Sequence, residues 1–147
     1  MNLFKVLDIS GTALLAERQR AEVVTSNLAN AETTHAADGG PYKRMHVVFG
    51  AHPMHTTGFA GTLASFTDMN AEGVRVDRVV PDGAPPVRRF EPGHPDADAE
   101  GYVSYPAINP VEEIVNLMGA ARAYQLNASA VQSTKSMIQA SIDIIKS

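Results

Sequence analysis

The last third of the sequence carries a long apolar repeat with few charges on any side. Every seventh position from 117 to 145 is apolar, and a companion row that starts at 114 is interrupted only by a lysine. Ala, Ser, Asn, Gln and Thr fill most other positions, so no clearly polar outer side remains. The pattern predicts a helix over 110–147 that more than one neighbour covers. The two rows are Leu117, Tyr124, Val131, Ile138 and Ile145, and Ile114, Ala121, Ala128, Lys135 and Ile142.

The start of this helix is marked by its capping residues. Asn109 is a good N-cap, and Pro110 suits the first helical position because its missing N–H is not needed there. Glu112 stands three residues after the cap, which completes a spacing similar to a capping box. We therefore expect the helix to begin at residue 110.

The first 30 residues predict a second helix, over 3–30. Gly11 is its weakest point, and Asn30 is a suitable end because Asn tolerates the left-handed conformation. The companion row of this helix is less regular, since Ser10 and Glu17 fall in it. The apolar positions are Leu7, Leu14, Ala21 and Leu28 in one row, with Leu3 and Val24 in the companion row.

The middle of the chain, 31–107, holds every proline except Pro110 and reads as a turn-rich β region. Strands are expected over 43–49, 74–80 and 102–105. After a loop at 81–86, the segment 87–91 is expected to return antiparallel. Residues 52–70 have little pattern and are expected to form a mobile or partner-facing loop.

The predicted fold class is therefore α+β. Two long terminal helices pack as a coiled-coil-like pair, and a small β-rich module lies between them in sequence. The predicted division is a discontinuous helical assembly domain, 1–30 with 108–147, and a β-rich middle region, 31–107.

Composition argues against several function classes. The net charge of −4 is spread along the chain without a basic stripe, which disfavours nucleic acid as a partner. Cysteine and tryptophan are absent, and no stretch approaches the ~20 apolar residues of a transmembrane helix. The first residues lack the basic and apolar regions of a signal peptide. We find no nucleophile or phosphate-loop motif, and so assign no catalytic residue, cofactor or small-molecule substrate.

Two metal-binding interpretations were weighed and disfavoured. His52 and His55 are closely spaced, but a zinc site needs about four ligands and the chain has no cysteine. The acidic run 96–101 is similar to part of a calcium loop, although its twelfth position is Ala107 instead of Glu. Exposed loop histidines and an acidic turn are the favoured interpretations, and no metal ligand is assigned.

Three stretches resemble the flagellar basal-body rod protein family, most closely its proximal-rod members. The first is 26–33, the second is 39–44 with 47–49, and the third is 91–103, which runs into the helix at 111–116 and 122–125. The chain departs from the family at 107–110, where Pro-Asn-Val-Asn is more usual, and 51–69 has no counterpart that we can name. The motif residues are Ser26, Asn27, Leu28, Ala29 and Asn30, and Gly93, Pro95, Gly101 and Tyr102.

The resemblance implies a structural subunit of the rod, the drive shaft that crosses the periplasm, and not an enzyme. It also implies export by the flagellar type III apparatus without a cleaved signal. Terminal helices of neighbouring subunits would pack into a tube around the export channel. The implied partners are further copies, other rod proteins, ring or rod-adaptor proteins and, during secretion, the export apparatus.

The residues that we predict at subunit interfaces come from the helical rows. The alternatives that stay open are a distal-rod or hook-type subunit, usually longer, a metal-binding soluble module, and a helical adaptor that binds a partner coiled coil. The predicted interface residues are Leu3, Leu7, Leu14, Val24, Leu28, Ile114, Leu117, Ala121, Tyr124, Val131, Ile138, Ile142 and Ile145.

Overall fold

The computed structural model of the protein describes residues 3–37, 39–53 and 72–146. Two long helices enclose four strands in chain order, which confirms the predicted α+β class. No helix of the described residues is long and apolar enough to cross a membrane. The elements are α1 (Leu3–Ala29), β1 (Met45–Pro53), β2 (Glu72–Pro81), β3 (Val87–Phe90), β4 (Tyr102–Tyr105) and α2 (Pro110–Lys146).

The chain forms two compact units, and both helices take part in both units. The first unit draws on residues 1–19, 49–77 and 120–147, and the second on 20–48 and 78–119. Their boundaries therefore fall inside the helices, whereas the predicted division followed the helix ends. The division into a helical assembly domain and a β-rich region stays a prediction.

The helix α2 begins at Pro110 as predicted, but Glu112 does not have the capping role that its spacing suggested. Asn109 Oδ1 accepts the N–H of Val111 at 3.0 Å, and the Asn109 carbonyl accepts the N–H of Glu113 at 3.1 Å. Glu112 does not complete a capping box within the described residues; its Oε2 lies 3.9 Å from Nη1 of Arg44. The cap is therefore formed by Asn109 alone.

The buried row of α2 lies one residue away from the predicted companion row. Glu113, Ala120 and Thr134 are buried at seven-residue spacing, and Asn127 between them is half-buried. The heptad pattern permits both choices, because a companion can stand three or four residues from the row at 117. Of the predicted companion row, Ile114, Ala121, Lys135 and Ile142 are exposed in the single chain and Ala128 is half-buried.

In α1 the buried positions other than Val24 are small or polar, while several large apolar side chains are exposed. Ser10 and Ala16 are buried, although the sequence pattern marked Ser10 as a defect. Phe4 and Leu15 are exposed. Small buried side chains allow the neighbouring backbone to approach the helix closely. The large apolar side chains then lie on the solvent-exposed side of α1.

The contact of α1 with β2 in the first unit shows this close approach. The hydroxyl of Thr12 accepts the N–H of Val74 at 3.1 Å and donates to the Ile9 carbonyl at 2.8 Å. A Cβ at Gly73 would stand 2.8 Å from Thr12 Oγ1. Glycine at 73 therefore lets the strand backbone reach the helix.

The strands form two separate two-stranded sheets, β1 with β2 and β3 with β4. The expected strands at 43–49, 74–80 and 102–105 are confirmed as β1, β2 and β4, with shifted ends. The expectation that 87–91 returns along β2 was wrong. Instead β3 runs antiparallel to β4, with Val87 opposite Tyr105 and Phe90 opposite Tyr102.

Proline explains the changed pairing. Pro85 and Pro86 precede β3, and neither can donate a backbone hydrogen bond to a continuing ladder. The chain therefore leaves β2 before β3 begins. Of the expected loop over 52–70, residues 52 and 53 belong to β1, and the rest lies outside the described residues.

Gly101 is required where the loop enters β4. Its φ is +83°, and an added Cβ would stand 2.9 Å from Phe90 Cε2 and 3.2 Å from Pro92 Cβ.

We expect Gly101→Ala to destabilise the fold by about 1–2 kcal/mol or more, because a left-handed backbone and a close contact are both penalised. Urea unfolding of the purified chain measures this change. The matched control is Gly93→Ala, where an added Cβ meets nothing within 4 Å; equal losses in both variants would contradict the prediction.

Candidate functional site

Asn27, in the last turn of α1, uses every hydrogen-bonding group of its side chain inside the second unit. Nδ2 donates to the Met45 carbonyl at 2.8 Å and to Glu113 Oε2 at 3.1 Å. Oδ1 accepts the N–H of Met45 at 2.9 Å and the hydroxyl of Tyr42 at 3.1 Å. Because Asn27 is 1% exposed, one amide joins the end of α1, the beginning of β1 and the first turn of α2. We call Asn27, Tyr42, Arg44 and Glu113 the polar clasp.

Glu113 is the charged centre of the polar clasp and is 1% exposed. Its Oε1 accepts from Arg44 Nη2, and its Oε2 accepts from Asn27. The Arg44 side chain is 18% exposed, so the ion pair is largely shielded from water. A buried carboxylate that loses its partners is strongly destabilising. The position of α2 therefore depends on side chains from α1 and from the segment before β1.

The segment after α1 is closed by the other polar residues of the first motif. Asn30 Nδ2 donates to the Ser26 carbonyl at 2.9 Å, and Asn30 Oδ1 accepts from Thr33 Oγ1 at 3.1 Å. The Thr33 carbonyl then accepts the N–H of Tyr42 at 3.0 Å. These bonds turn the chain back so that Tyr42 reaches Asn27. Of the remaining motif residues, Leu28 is half-buried and Ala29 is exposed.

The third motif forms the connection between β3 and β4. Asp98 Oδ1 accepts the N–H groups of Glu100 at 2.9 Å and Tyr102 at 2.8 Å, and Oδ2 accepts from Arg88. Asp96 Oδ2 accepts from Thr34 Oγ1 at 2.7 Å, which ties this connection to the segment after α1. The acidic run is therefore a hydrogen-bonded turn. Of the other predicted motif residues, Gly93 and Pro95 lie exposed in the connection, with Gly101 and Tyr102 at its end.

Among the described histidine side chains, His46 lies beside Asp82, whereas His35 and His94 both lie beside Asp96. His46 Nε2 is 3.1 Å from Asp82 Oδ2, and His35 Nδ1 is 3.9 Å from Asp96 Oδ1. His94 Nδ1 accepts the N–H of Asp96 at 3.1 Å. Across the described ranges, no three His, Asp or Glu side chains are grouped so that they could hold a metal ion. His55 lies outside the described residues.

Large apolar side chains outside the two predicted rows are exposed along α2. Val111, Val115 and Met118 share one side at spacings of four and three residues, and all three are exposed. Further along, Leu126, Met137 and Ile144 are also exposed, Leu126 by 64%. Their spacing does not continue the side of Val111, since Met137 stands three residues after the buried Thr134. We call these six residues the outer stripe of α2. The sequence prediction missed them because it assigned the interface to the two heptad rows alone, although their apolar type was already a signal.

The predicted interface residues differ in their exposure within one chain. Only Val24 is buried. Leu3, Leu7, Leu14, Leu28, Leu117, Val131 and Ile138 are half-buried, and Ile114, Ala121, Tyr124, Ile142 and Ile145 are exposed. The exposed group is available to other chains, and its role at an interface stays a prediction.

Two family models match the chain at the two helical ends. A model described as flagella basal body rod protein matches residues 7–36, and one described as flagellar basal body rod FlgEFG protein C-terminal matches residues 99–144. The polar clasp joins these two segments, since Asn27 lies in the first and Glu113 in the second. The class is therefore that of a structural protein of the flagellar rod.

Full-length relatives define the family more closely. The flagellar basal-body rod protein FlgC of Escherichia coli O157:H7 is 41% identical over 94% of both chains. The FlgC proteins of Borreliella burgdorferi and Bacillus subtilis are each 34% identical over 99% of this chain, and over 99% and 100% of their own. The chain belongs to the FlgC family of flagellar basal-body rod proteins, and it is a structural subunit of the basal-body rod.

Replacement of Asn27 tests the polar clasp. We expect Asn27→Ala to lower the free energy of unfolding by about 2–4 kcal/mol, because it removes a buried donor from Glu113 and leaves the Met45 backbone groups without partners. Asn30→Ala is the matched control, since its bonds are not in a buried site, and it should cost about 1 kcal/mol or less. Chemical denaturation of both variants measures the difference, and equal losses would rule out a central role for Asn27.

Acid should weaken the turn that Asp98 holds. The N–H of Tyr102, followed by the Arg88 guanidinium, lowers the pKa of Asp98 below its ordinary value of 3.8. Because the folded pKa is the lower one, the stabilisation is complete above 3.8 and is lost as pH falls through the folded pKa. We expect Asp98→Asn to be less stable than the parent at neutral pH, with a difference that shrinks in acid. Urea midpoints across this range measure it, and a difference independent of pH would contradict the expectation.

Proposed function

We propose that this chain builds the proximal part of the rod by packing its terminal helices against those of neighbouring subunits. The assembly forms the tubular shaft that transmits torque and surrounds the export channel. The observation that carries this proposal is the outer stripe of α2, which leaves six large apolar side chains in contact with solvent in the single chain. An exposed apolar surface of this kind is typical of a protein interaction site.

The residue types at the buried and the exposed positions of the helices support assembly. Apart from Val24, the buried positions of the helices are held by small or polar residues, among them Ser10, Ala16, Ala120 and Thr134. Fully burying one large aliphatic side chain contributes about 1.5–3 kcal/mol. The outer stripe can therefore supply several times this amount, which can offset the cost of association of about 4–15 kcal/mol. Most of the apolar driving force is thus reserved for contacts between subunits.

Assembly into a shaft requires heterologous contacts, in which one surface meets a different surface of the next subunit. We propose that 1–30 and 108–147 act as the helical assembly domain and that the exposed predicted residues lie at these contacts. They are Ile114, Ala121, Tyr124, Ile142 and Ile145, together with the outer stripe of α2 and Phe4 and Leu15 of α1. The half-buried predicted residues would contribute at the margins.

Family membership supports a proposal for the cellular setting of the subunit. We propose that the subunit lies in the rod within the periplasm and is exported by the flagellar type III apparatus without a cleaved signal. Its partners would be its own copies, other rod proteins and basal-body ring or rod-adaptor proteins. Nearly full-length matches to FlgC proteins favour the proximal rod over distal-rod or hook-type subunits. A structural role requires no catalytic activity, cofactor, nucleic acid or small-molecule substrate.

An acidic residue within the outer stripe should block incorporation but leave the chain folded. Leu126 is exposed in the single chain, so Leu126→Asp removes no internal contact of consequence. We expect normal circular dichroism of the purified variant, a large loss of rods in basal-body preparations, and loss of swimming. Ala99→Asp adds the same charge at an exposed position of the β3–β4 connection and is the control. Normal rods and swimming with Leu126→Asp would overturn the proposal.

A further inference from the structure

The methionines are the only sulfur-containing side chains of this protein. The chain has six of them and neither cysteine nor tryptophan. A thioether takes up one oxygen atom from a peroxide and becomes a sulfoxide, so that a flexible apolar side chain becomes a polar one. Because no thiol competes for the oxidant, mild oxidation of this chain falls on its methionines. The places of the methionines in the fold therefore decide what oxidation does.

Two methionines of α2 are open to solvent. Met118 is 67% exposed and Met137 is 50% exposed. By contrast, Met45 is half-buried, and Asn27 binds both its N–H and its carbonyl. Exposure is one of the factors that set the rate of thioether oxidation. The other methionines lie outside the described residues: Met1, Met54 and Met69.

Each exposed methionine belongs to an apolar part of the helix surface. Met118 stands seven residues after Val111 and three after Val115, and Met137 stands seven residues before Ile144. Residues at these spacings share a side of a helix, and all of these side chains are exposed. A sulfoxide at either place adds a strong hydrogen-bond acceptor to an apolar surface. Burial of such a group without a donor is unfavourable.

We propose that Met118 and Met137 make incorporation of the subunit sensitive to oxidation. A sulfur lone pair attacks one oxygen of hydrogen peroxide, an S–O bond forms, the O–O bond breaks, and the peroxide is reduced to water. The oxidised chain stays folded, because both side chains are exposed, but the sulfoxides oppose burial against a neighbour. This inference rests on the proposed function, because it acts through the surface that assembly covers. Once covered in the rod, the same methionines are protected from the oxidant.

Oxidation of the purified chain tests the difference in reactivity. The chain is treated with hydrogen peroxide, and the sulfoxide at each position is followed by peptide mass spectrometry. We expect Met118 and Met137 to be oxidised several-fold faster than Met45, with unchanged circular dichroism. Equal rates at the three positions would overturn the proposal, and so would loss of the helical signal. In purified basal bodies we expect Met118 and Met137 to react several-fold more slowly than in the free chain, and equal rates there would also overturn it.

Replacement by leucine tests the effect on assembly, since leucine has a similar volume and no sulfur. Hydrogen peroxide is added to cells while rods assemble, and rods are counted in basal-body preparations. We expect several-fold fewer rods for the parent chain, and a much smaller loss for the double variant Met118→Leu with Met137→Leu. Met45→Leu is the matched control and should be as sensitive as the parent. Equal sensitivity of the double variant and the parent would overturn the proposal.

The outcomes separate this inference from the proposed function. Leu126→Asp judges assembly through α2 without any oxidant. If Leu126→Asp prevents rod formation but the leucine double variant gives no protection, oxidation sensitivity is refuted and the proposed function stands. If Leu126→Asp gives normal rods, the proposed function fails, whatever the oxidation rates are.

Discussion

The side-chain amide of Asn27 is the interaction on which the second unit depends. It fills both hydrogen-bonding positions of the Met45 backbone and donates to Glu113, so three elements distant in sequence meet at one buried group. Arg44 supplies the countercharge without which Glu113 could not be buried. An apolar contact could vary in angle, but hydrogen bonds with fixed geometry define one arrangement. A subunit that must join many copies in a regular structure benefits from such a defined joint.

The distribution of residue types between buried and exposed positions of the helices is unusual for a protein that acts as a single chain. Small and polar residues occupy the buried positions except that of Val24, and large apolar residues such as Leu15, Leu126 and Ile144 remain exposed. This distribution lowers the stability of the isolated chain, because less apolar surface is removed from water. It is favourable for a subunit whose remaining surfaces are covered after assembly.

Much of the fold could be predicted from periodicity and turn residues. Both helices, the cap at Asn109 and three strands were predicted, because each depends on local preferences of neighbouring residues. The pairing of β3 was missed, because pairing depends on where Pro85 and Pro86 direct the chain, and this is not a local property. The register of the buried row in α2 was also missed, since rows three or four residues from Leu117 satisfy the heptad equally well.

The residues of the candidate site could also be predicted only in part from the sequence. The sequence by itself determined the helical ends, the charge-poor α2 and the family motif that contains Asn27, since these follow from residue types and their spacing. It could not show that Asn27, Arg44 and Glu113 meet, because their partners are 18 to 86 residues apart in the chain. Only the tertiary structure decided that Glu113 is buried and the neighbouring Ile114 is exposed. The physical reason is that a charged side chain can be buried when a matching arginine and amide are brought to it, and folding alone brings them together.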